Sequence, residues 1–214
     1  MILPNSKIEE AIVKNNGVAI GVDEVGRGPL AGPVVSAAAW VNPKIFKEKF
    51  ELKNLVRDSK LLSEKQREKV YQYIIEDIRK DDFLISIKSI SNKTIDKINI
   101  LNASLLSMRL AIEELSEKLK INKKIYVLLD GNKKVPKLDF EQRLFVKGDQ
   151  NIFSIALASI CAKVHRDRMM NDYHRKYPQY GFNRHRGYGT KLHFENLSKN
   201  GSCKIHRKSF NLGL

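Results

Sequence analysis

Apolar residues recur at a period of two in the first part of the chain and at helical spacing in its middle. Val18, Ile20 and Val22 share one face of a strand over Val18–Val22, and Val34–Val41 is a nearly continuous apolar strand bounded by Pro33 and Asn42-Pro43. Ser63 with Gln66 three residues on reads as a capping box that opens a helix to about Asp77. Phe83, Ile85 and Ile87 alternate as a third strand. Leu101, Leu105, Met108, Ile112, Leu115 and Leu119 step by four, three, four, three and four, which lines one face of a long helix. A short buried strand at Tyr126–Leu129 ends on Asp130-Gly131, and a weaker one over Arg143–Val146 leads into Lys147-Gly148-Asp149. A second long helix is predicted from about Asn151 to Tyr173. A last one starts after Thr190 as N-cap and stops at Gly201. Strands and helices mixed in this order predict a layered α/β domain on one sheet, with a helical last quarter as an attached flap.

Composition narrows the function classes. The 214 residues carry 39 Lys plus Arg against 24 Asp plus Glu, a net +15, and this excess predicts a polyanionic partner. The longest uncharged stretch, Gly28–Pro43, is too short for a membrane span and holds three prolines. Met1, Ile2, Leu3, Pro4 and Asn5 lack the basic and apolar regions of a secretory signal. Two cysteines, Cys161 and Cys203, make neither a disulfide scaffold nor a cysteine zinc site, and Cys161 in its apolar run reads as a small buried hydrophobe. The expected compartment is the cytoplasm.

The positive charge is concentrated. Residues 163–208 hold twelve Lys or Arg (163, 166, 168, 175, 176, 184, 186, 191, 199, 204, 207 and 208) against three acids, Asp167, Asp172 and Glu195. Tyr173, Tyr177, Tyr180, Phe182, Tyr188 and Phe194 are interleaved with them. Cations for phosphates and rings for bases or sugars form the combination that nucleic-acid grooves use. The alternative is a solvated surface in a lysine-rich chain. No basic helix there has the clean apolar face that membrane binding needs.

In so basic a chain the acids at strand ends are informative. Asp23 and Glu24 close the first strand, Asp130 closes the strand Tyr126–Leu129, and Asp149 precedes the second long helix. Brought to one sheet edge, four carboxylates would repel one another unless cations neutralise them, and hard oxygen donors select Mg²⁺ or Mn²⁺. Each acid also has a plainer reading. Asp23-Glu24 and Asp130-Gly131 suit turns, and Asp149 taken alone reads as a helix N-cap. Adjacent strand residues point to opposite faces, so Asp23 and Glu24 share a site only if the chain leaves strand geometry there. Gly26-Arg27-Gly28-Pro-Leu-Ala31 matches a dinucleotide fingerprint, but Pro29 and Gly32-Pro33 lead into a strand where that motif must open a helix. The glycines suit close approach of backbone to a substrate, with Arg27 supplying charge.

Gly21-Val-Asp23-Glu24-Val-Gly26-Arg27-Gly28-Pro-Leu-Ala-Gly32-Pro33 resembles the opening signature of the ribonuclease HII family, type 2 ribonuclease H. Arg57-Asp58-Ser59-Lys60, Leu129-Asp130-Gly131-Asn132, Lys147-Gly148-Asp149, the run from Ala158 to Asp167, His185-Arg186-Gly187-Tyr188-Gly189-Thr190 and His206-Arg207-Lys208-Ser209-Phe210 extend the likeness over residues 17 to 210. The resemblance implies an α/β ribonuclease H-like fold: a five-stranded mixed sheet flanked by helices with a C-terminal helical extension. It implies one catalytic domain over 1–214, with about 163–214 as a basic substrate-binding extension. The partners it implies are RNA–DNA hybrids and duplex DNA containing ribonucleotides, cut 5′ of the ribonucleotide to leave 3′-hydroxyl and 5′-phosphate ends. No membrane and no obligate protein partner are implied, and a monomer is expected.

On the same resemblance Asp23, Glu24, Asp130 and Asp149 are the catalytic acids. Asp23, Glu24 and Asp130 hold two Mg²⁺ or Mn²⁺ ions, with Asp23 bridging them. The turn Gly26, Arg27, Gly28 reads the 2′-hydroxyl, Tyr188 packs on the sugar at the junction, and Ser59 and Lys60 contact phosphates. Arg27 and the short segment before the first strand set the chain apart from ribonuclease HIII, and its end carries no legible clamp-binding motif, which favours a bacterial type. A DNA-only nuclease on the same sheet would have no use for a 2′-hydroxyl reader. A non-catalytic binding module would hold no divalent ion at the four acids.

Overall fold

The apolar strands assemble into one five-stranded mixed sheet. In the computed structural model, which describes residues 3–47, 53–77, 82–120 and 122–214, the strands are β1 (Val18–Val25), β2 (Val34–Val41), β3 (Phe83–Ile90), β4 (Ile125–Asp130) and β5 (Glu141–Phe145), in the spatial order β3-β2-β1-β4-β5. β1 runs antiparallel to β2 and parallel to β4, β2 antiparallel to β3, and β4 parallel to β5. The helices are α1 (Lys7–Lys14), α2 (Lys44–Lys47), α3 (Glu64–Tyr71), α4 (Asn92–Ile98), α5 (Ile100–Leu119), α6 (Gly148–Asn151), α7 (Phe153–Lys176), α8 (Phe182–His185) and α9 (Lys191–Asn200). Of the N-terminal residues read for a leader, Met1 and Ile2 lie outside the described residues. Among the described residues no helix is long and apolar enough to cross a membrane.

Strand alternation gives the sheet two apolar faces. Val18, Ile20, Val22, Val127 and Leu129 meet Met108, Ile112 and Leu115 of α5 on one side. Val35, Ala37, Ala39 and Phe83 meet α7 and α3 on the other, where Cys161 is fully buried as expected of a small hydrophobe. A separate cluster of Leu30, Ala31, Met170, Tyr180, Phe182, Leu197 and Ile205 joins the end of α7, α8 and α9 to the segment between β1 and β2.

Several boundaries depart from the sequence reading, each for a local reason. β1 continues through Asp23 and Glu24 to Val25, because β2 pairs with it up to Val25–Val35. The second long helix starts at Phe153, since Ile152 is extended and bridges Asn5, whose backbone bonds Asn151 O and Phe153 N. The capping box at Ser63 is present, but beyond Tyr71 the helix widens into a π-helical turn over Gln72–Asp77. Leu101 is exposed, and Ser104 and Ala111 stand on the buried face instead. α1, with only Ile8 and Ile12 as an apolar pair, carried too little periodicity to be read. It is anchored by buried Glu9, which accepts from the Ser154 N–H and hydroxyl at 2.9 Å each.

Gly21 sets how closely α7 approaches β1. A Cβ there would stand 2.3 Å from the Ser154 carbonyl carbon and 2.5 Å from Ile155 N, both backbone atoms that cannot swing aside. Gly21→Ala is therefore expected to destabilise the fold by about 1–3 kcal/mol, read as a Tm several degrees lower in thermal melts. An unchanged Tm would show that α7 does not rest on this position.

Candidate active site

The parallel register of β1 with β4 pairs Val22 with Leu129, so Asp23 and Asp130 are the next residues along two adjacent strands. Asp23 is buried at 7% exposure and Asp149, on α6, at 4%. The Asp130 Oδ1 accepts from Gly148 N at 2.7 Å, which brings the loop carrying Asp149 to the end of β4. Glu24 lies within 3.3 Å of the Arg27 guanidinium and, with Asp130, Asn132 and Lys133, lines a pocket of about 200 Å³ against Leu101 and Ser104 of α5. Asp23 faces α7 instead, where the Ser159 hydroxyl works against the rise in its proton affinity. Strand geometry therefore persists at Asp23 and Glu24, contrary to the condition set from sequence. The two share a site because it wraps around the strand ends rather than lying on one face.

Electrostatics link these acids. Burial raises the Asp23 carboxyl well above its ordinary range, and Glu24 and Asp130 push it further the same way. Glu24 is raised by burial, opposed by Arg27 and reinforced by Asp130. Burial and the charges of Asp130 and Asp58 raise Asp149. Burial alone would lower the Lys60 ammonium, but Asp149, Asp58, Asp23 and Asp130 outweigh it and hold the group charged, with Nζ 3.8 Å from Asp149. Asp149 does not cap α7, whose N-cap is Ile152. It belongs to the first turn of α6.

Asp58, Gln150 and Ser159 had no role assigned from sequence, and Ser59 had a different one. Asp58 accepts from Lys60 N at 2.9 Å and from Gln150 Nε2 at 3.1 Å, fixing the loop that presents Lys60. Ser59, expected to meet phosphate, is buried, with its hydroxyl 3.0 Å from that of Ser159. Ser59 and Ser159 thus pair on the α7 side of the sheet, the side that Asp23 faces.

The turn at Gly26–Gly28 and the segment after it are held by two arginines that the sequence reading counted among the phosphate-binding cations. Arg166 and Arg207 are both fully buried. Arg166 donates to the carbonyls of Pro33, Ala31 and Arg186, and Arg207 to those of Gly26, Arg27 and Gly32. Burial pushes them down to about 10 and about 9, which leaves both charged at neutral pH. One signal was available: Ile155, Ser159, Ala162, Arg166 and Met170 share the buried stripe of α7. Gly26 has a φ of +94°, and a Cβ on it would meet Arg166 Nε at 2.3 Å, so the cradle demands glycine there. Around Gly28 there is room, the nearest atom to a Cβ being Cε1 of the exposed Tyr188 ring at 3.7 Å.

The remaining basic segment divides in the same way. Arg168 pairs with Glu68, Lys163 with Asp167 and Arg186 with Glu64, while Lys176, Arg184, Lys199, Lys204 and Lys208 are exposed. Of the interleaved rings Tyr180 and Phe182 are core, stacked on each other at 5.4 Å, whereas Tyr188 and Phe194 face solvent.

Four carboxylates with a nearby ammonium make a donor set suited to a hard divalent cation. Among the described residues no three acidic, imidazole or thiol groups stand preassembled around one ion position. The acids are gathered and mutually repelled, which is the condition a cation relieves.

A family model described as Ribonuclease HII matches residues 20–212. The Ribonuclease HII of Caldicellulosiruptor bescii is 48% identical over 206 residues, covering 95% of this chain and 92% of that protein. That of Fusobacterium nucleatum is 48% identical over 192 residues, 89% of this chain and 84% of its own. The solved ribonuclease H2 from Pyrococcus horikoshii OT3 superposes with a TM-score of 0.68 at 26% identity, covering 91% of this chain and 94% of that one. Bst-RNase HIII in complex with Mn²⁺ shares the fold with a TM-score of 0.72 at 18% identity, over 92% of this chain and 68% of its own.

Because Asp23 is raised above its ordinary 3.8, the folded state binds its proton more tightly than the unfolded chain does. The penalty is absent below 3.8 and complete once pH passes the raised value. In chelator-treated protein Asp23→Asn should therefore be more stable than the parent at pH 7, by about 1 kcal/mol or more. The difference in Tm should shrink as pH falls towards 4. A variant no more stable at pH 7 would show that the repulsion is not there.

Proposed function

This chain belongs to the ribonuclease HII family of metal-dependent endoribonucleases acting on RNA paired with DNA, and from that premise we propose that it cuts 5′ of a ribonucleotide embedded in duplex DNA as well as within the RNA strand of a continuous hybrid. The products carry 3′-hydroxyl and 5′-phosphate ends. The observation that carries this reading is the gathering of Asp23, Glu24 and Asp130 at neighbouring strand ends, beside a glycine turn that faces Tyr188.

Asp23, Glu24 and Asp130 would hold two Mg²⁺ or Mn²⁺ ions, with Asp149 completing their surroundings. When bound, such ions activate a water for in-line attack and stabilise the leaving oxygen. The protein's own groups do the rest. Lys60, kept protonated by the surrounding carboxylates, meets the phosphate next to the cut. Ser159 and Ser59 hold the Asp23 carboxylate in place. The backbone of Gly26–Gly28, fixed by Arg166 and Arg207, offers its polar groups to the 2′-hydroxyl, and a deoxyribose would leave them unpaired. The Tyr188 ring lies against the same sugar. Exposed lysines and arginines within about 163–214 grip the duplex phosphates. The reading extends to a monomer that acts in the cytoplasm without an obligate protein partner.

Asp130→Asn is expected to abolish cleavage of a duplex bearing one ribonucleotide while retaining its binding, measured by gel shift alongside the cleavage assay. Unchanged turnover would remove Asp130 from the site. Gly28→Ala separates substrate reading from folding, because the free protein has room for the methyl group. Its Tm should match the parent within about 2 °C, while cleavage at a single ribonucleotide falls about tenfold or more. Full activity in Gly28→Ala would place the 2′-hydroxyl elsewhere.

A further inference from the structure

Three histidines that the proposed chemistry does not use are packed together behind Tyr188. His193 and His206 are fully or almost fully buried at 0% and 2% exposure, and His185 stacks on His193 with ring centroids 4.3 Å apart and planes 17° apart. Their hydrogen bonds leave no choice of tautomer. The Cys203 N–H can only donate, and it points at His206 Nδ1 from 2.9 Å, so that nitrogen carries no proton. The His206 proton therefore sits on Nε2 and is donated to His193 Nε2, 3.1 Å away. That nitrogen must be bare, which places the His193 proton on Nδ1, where it bonds the Tyr188 carbonyl at 2.9 Å. His185 is fixed in the same way: its Nε2–H donates to the Tyr180 carbonyl at 2.8 Å and its Nδ1 accepts from Gly187 N at 3.2 Å.

The relay links the two halves of the proposed reading pocket. At its far end His206 bridges Ala31, and the next residue, Arg207, holds the carbonyls of Gly26 and Arg27. At its near end it holds the backbone of Tyr188. Taking the ribonucleotide-reading role above as given, we propose that His193 and His206 are positioning residues: as a tautomer-locked neutral pair they fix the Tyr188 ring against the Gly26–Gly28 turn. A proton added to either ring would set two donors face to face and break the chain.

The titratable groups acting on the cluster are consistent with this. They are the three rings themselves and His174 from α7, together with the Cys203 thiol and Tyr180 phenol beside His206. Apart from burial, the influences on the rings are backbone partners and neighbouring imidazoles. Burial lowers all three, His193 to about 4.

Ring-nitrogen NMR on the intact protein with ¹⁵N-labelled histidine should show His193 as the Nδ1–H and His206 as the Nε2–H tautomer, both uncharged at about pH 6. The opposite tautomer, or a charged ring at that pH, overturns the inference. Cleavage of a duplex with one ribonucleotide is then compared in His193→Phe, His193→Asn, Tyr188→Ala and the His193→Phe/Tyr188→Ala double variant. His193→Phe should lose about tenfold or more in kcat/KM, and His193→Asn, whose amide can donate to the Tyr188 carbonyl, should recover part of it. Adding His193→Phe to Tyr188→Ala should cost nothing further, an outcome that general loosening of the fold would not produce. Fully additive losses overturn the proposal. If Tyr188→Ala is impaired and His193→Phe is not, the positioning role alone fails. If Tyr188→Ala cleaves normally, the pocket reading fails and this inference with it. Should His193→Phe not fold, the tautomers and His193→Asn decide.

Discussion

Like charges held together away from water are the constraint around which this molecule is organised. Burial raises the proton affinity of Asp23, Glu24 and Asp149 at the end of β1 and in α6, and the charge of Asp130 at the end of β4 adds to it in each case. Left to themselves they would separate. Two apolar layers prevent that, α5 against one face of the sheet and α7 against the other, with Gly21 letting α7 lie directly on β1. The result is a binding potential for cations built into the fold before any ligand arrives.

A second constraint operates at the glycine turn. Buried guanidiniums are costly unless every donor finds an acceptor, and Arg166 and Arg207 meet this with backbone carbonyls rather than carboxylates. Carbonyls satisfy the donors without drawing an anion into a site already crowded with them. Arg207 lies some 180 residues from the turn that it holds, so the end of the chain fixes the segment that follows β1. Burial of these arginines also divides the basic segment, with Arg166 and Arg207 in the interior and Lys176, Arg184 and Lys204 exposed.

Much of the fold was legible in the chain because its signals are local. The continuous apolar run Val34–Val41, the Ser63–Gln66 box and the Thr190 cap each depend on residues a few positions apart, and each is found in place. α1 escaped notice because one apolar pair is too short a period, and it is secured by the distant Ser154. The acids were legible as strand ends in a basic chain. The arginine cradle was not, since a charged residue reads as exposed until its acceptors are known.

Sequence alone therefore determined which residue types punctuate the strands, where the helices start, and that anionic side chains would be offered to a polyanion-binding protein. Only the tertiary structure decided that Asp23 and Glu24 remain on opposite faces of a strand, and that Ser59 is buried against Ser159. It also decided that Arg166, Arg207 and the three histidines are interior. The physical reason is that hydrogen-bond satisfaction is a property of neighbours in space. Periodicity can say which side of an element is apolar, but not which distant carbonyl or imidazole will meet a donor once the layers close.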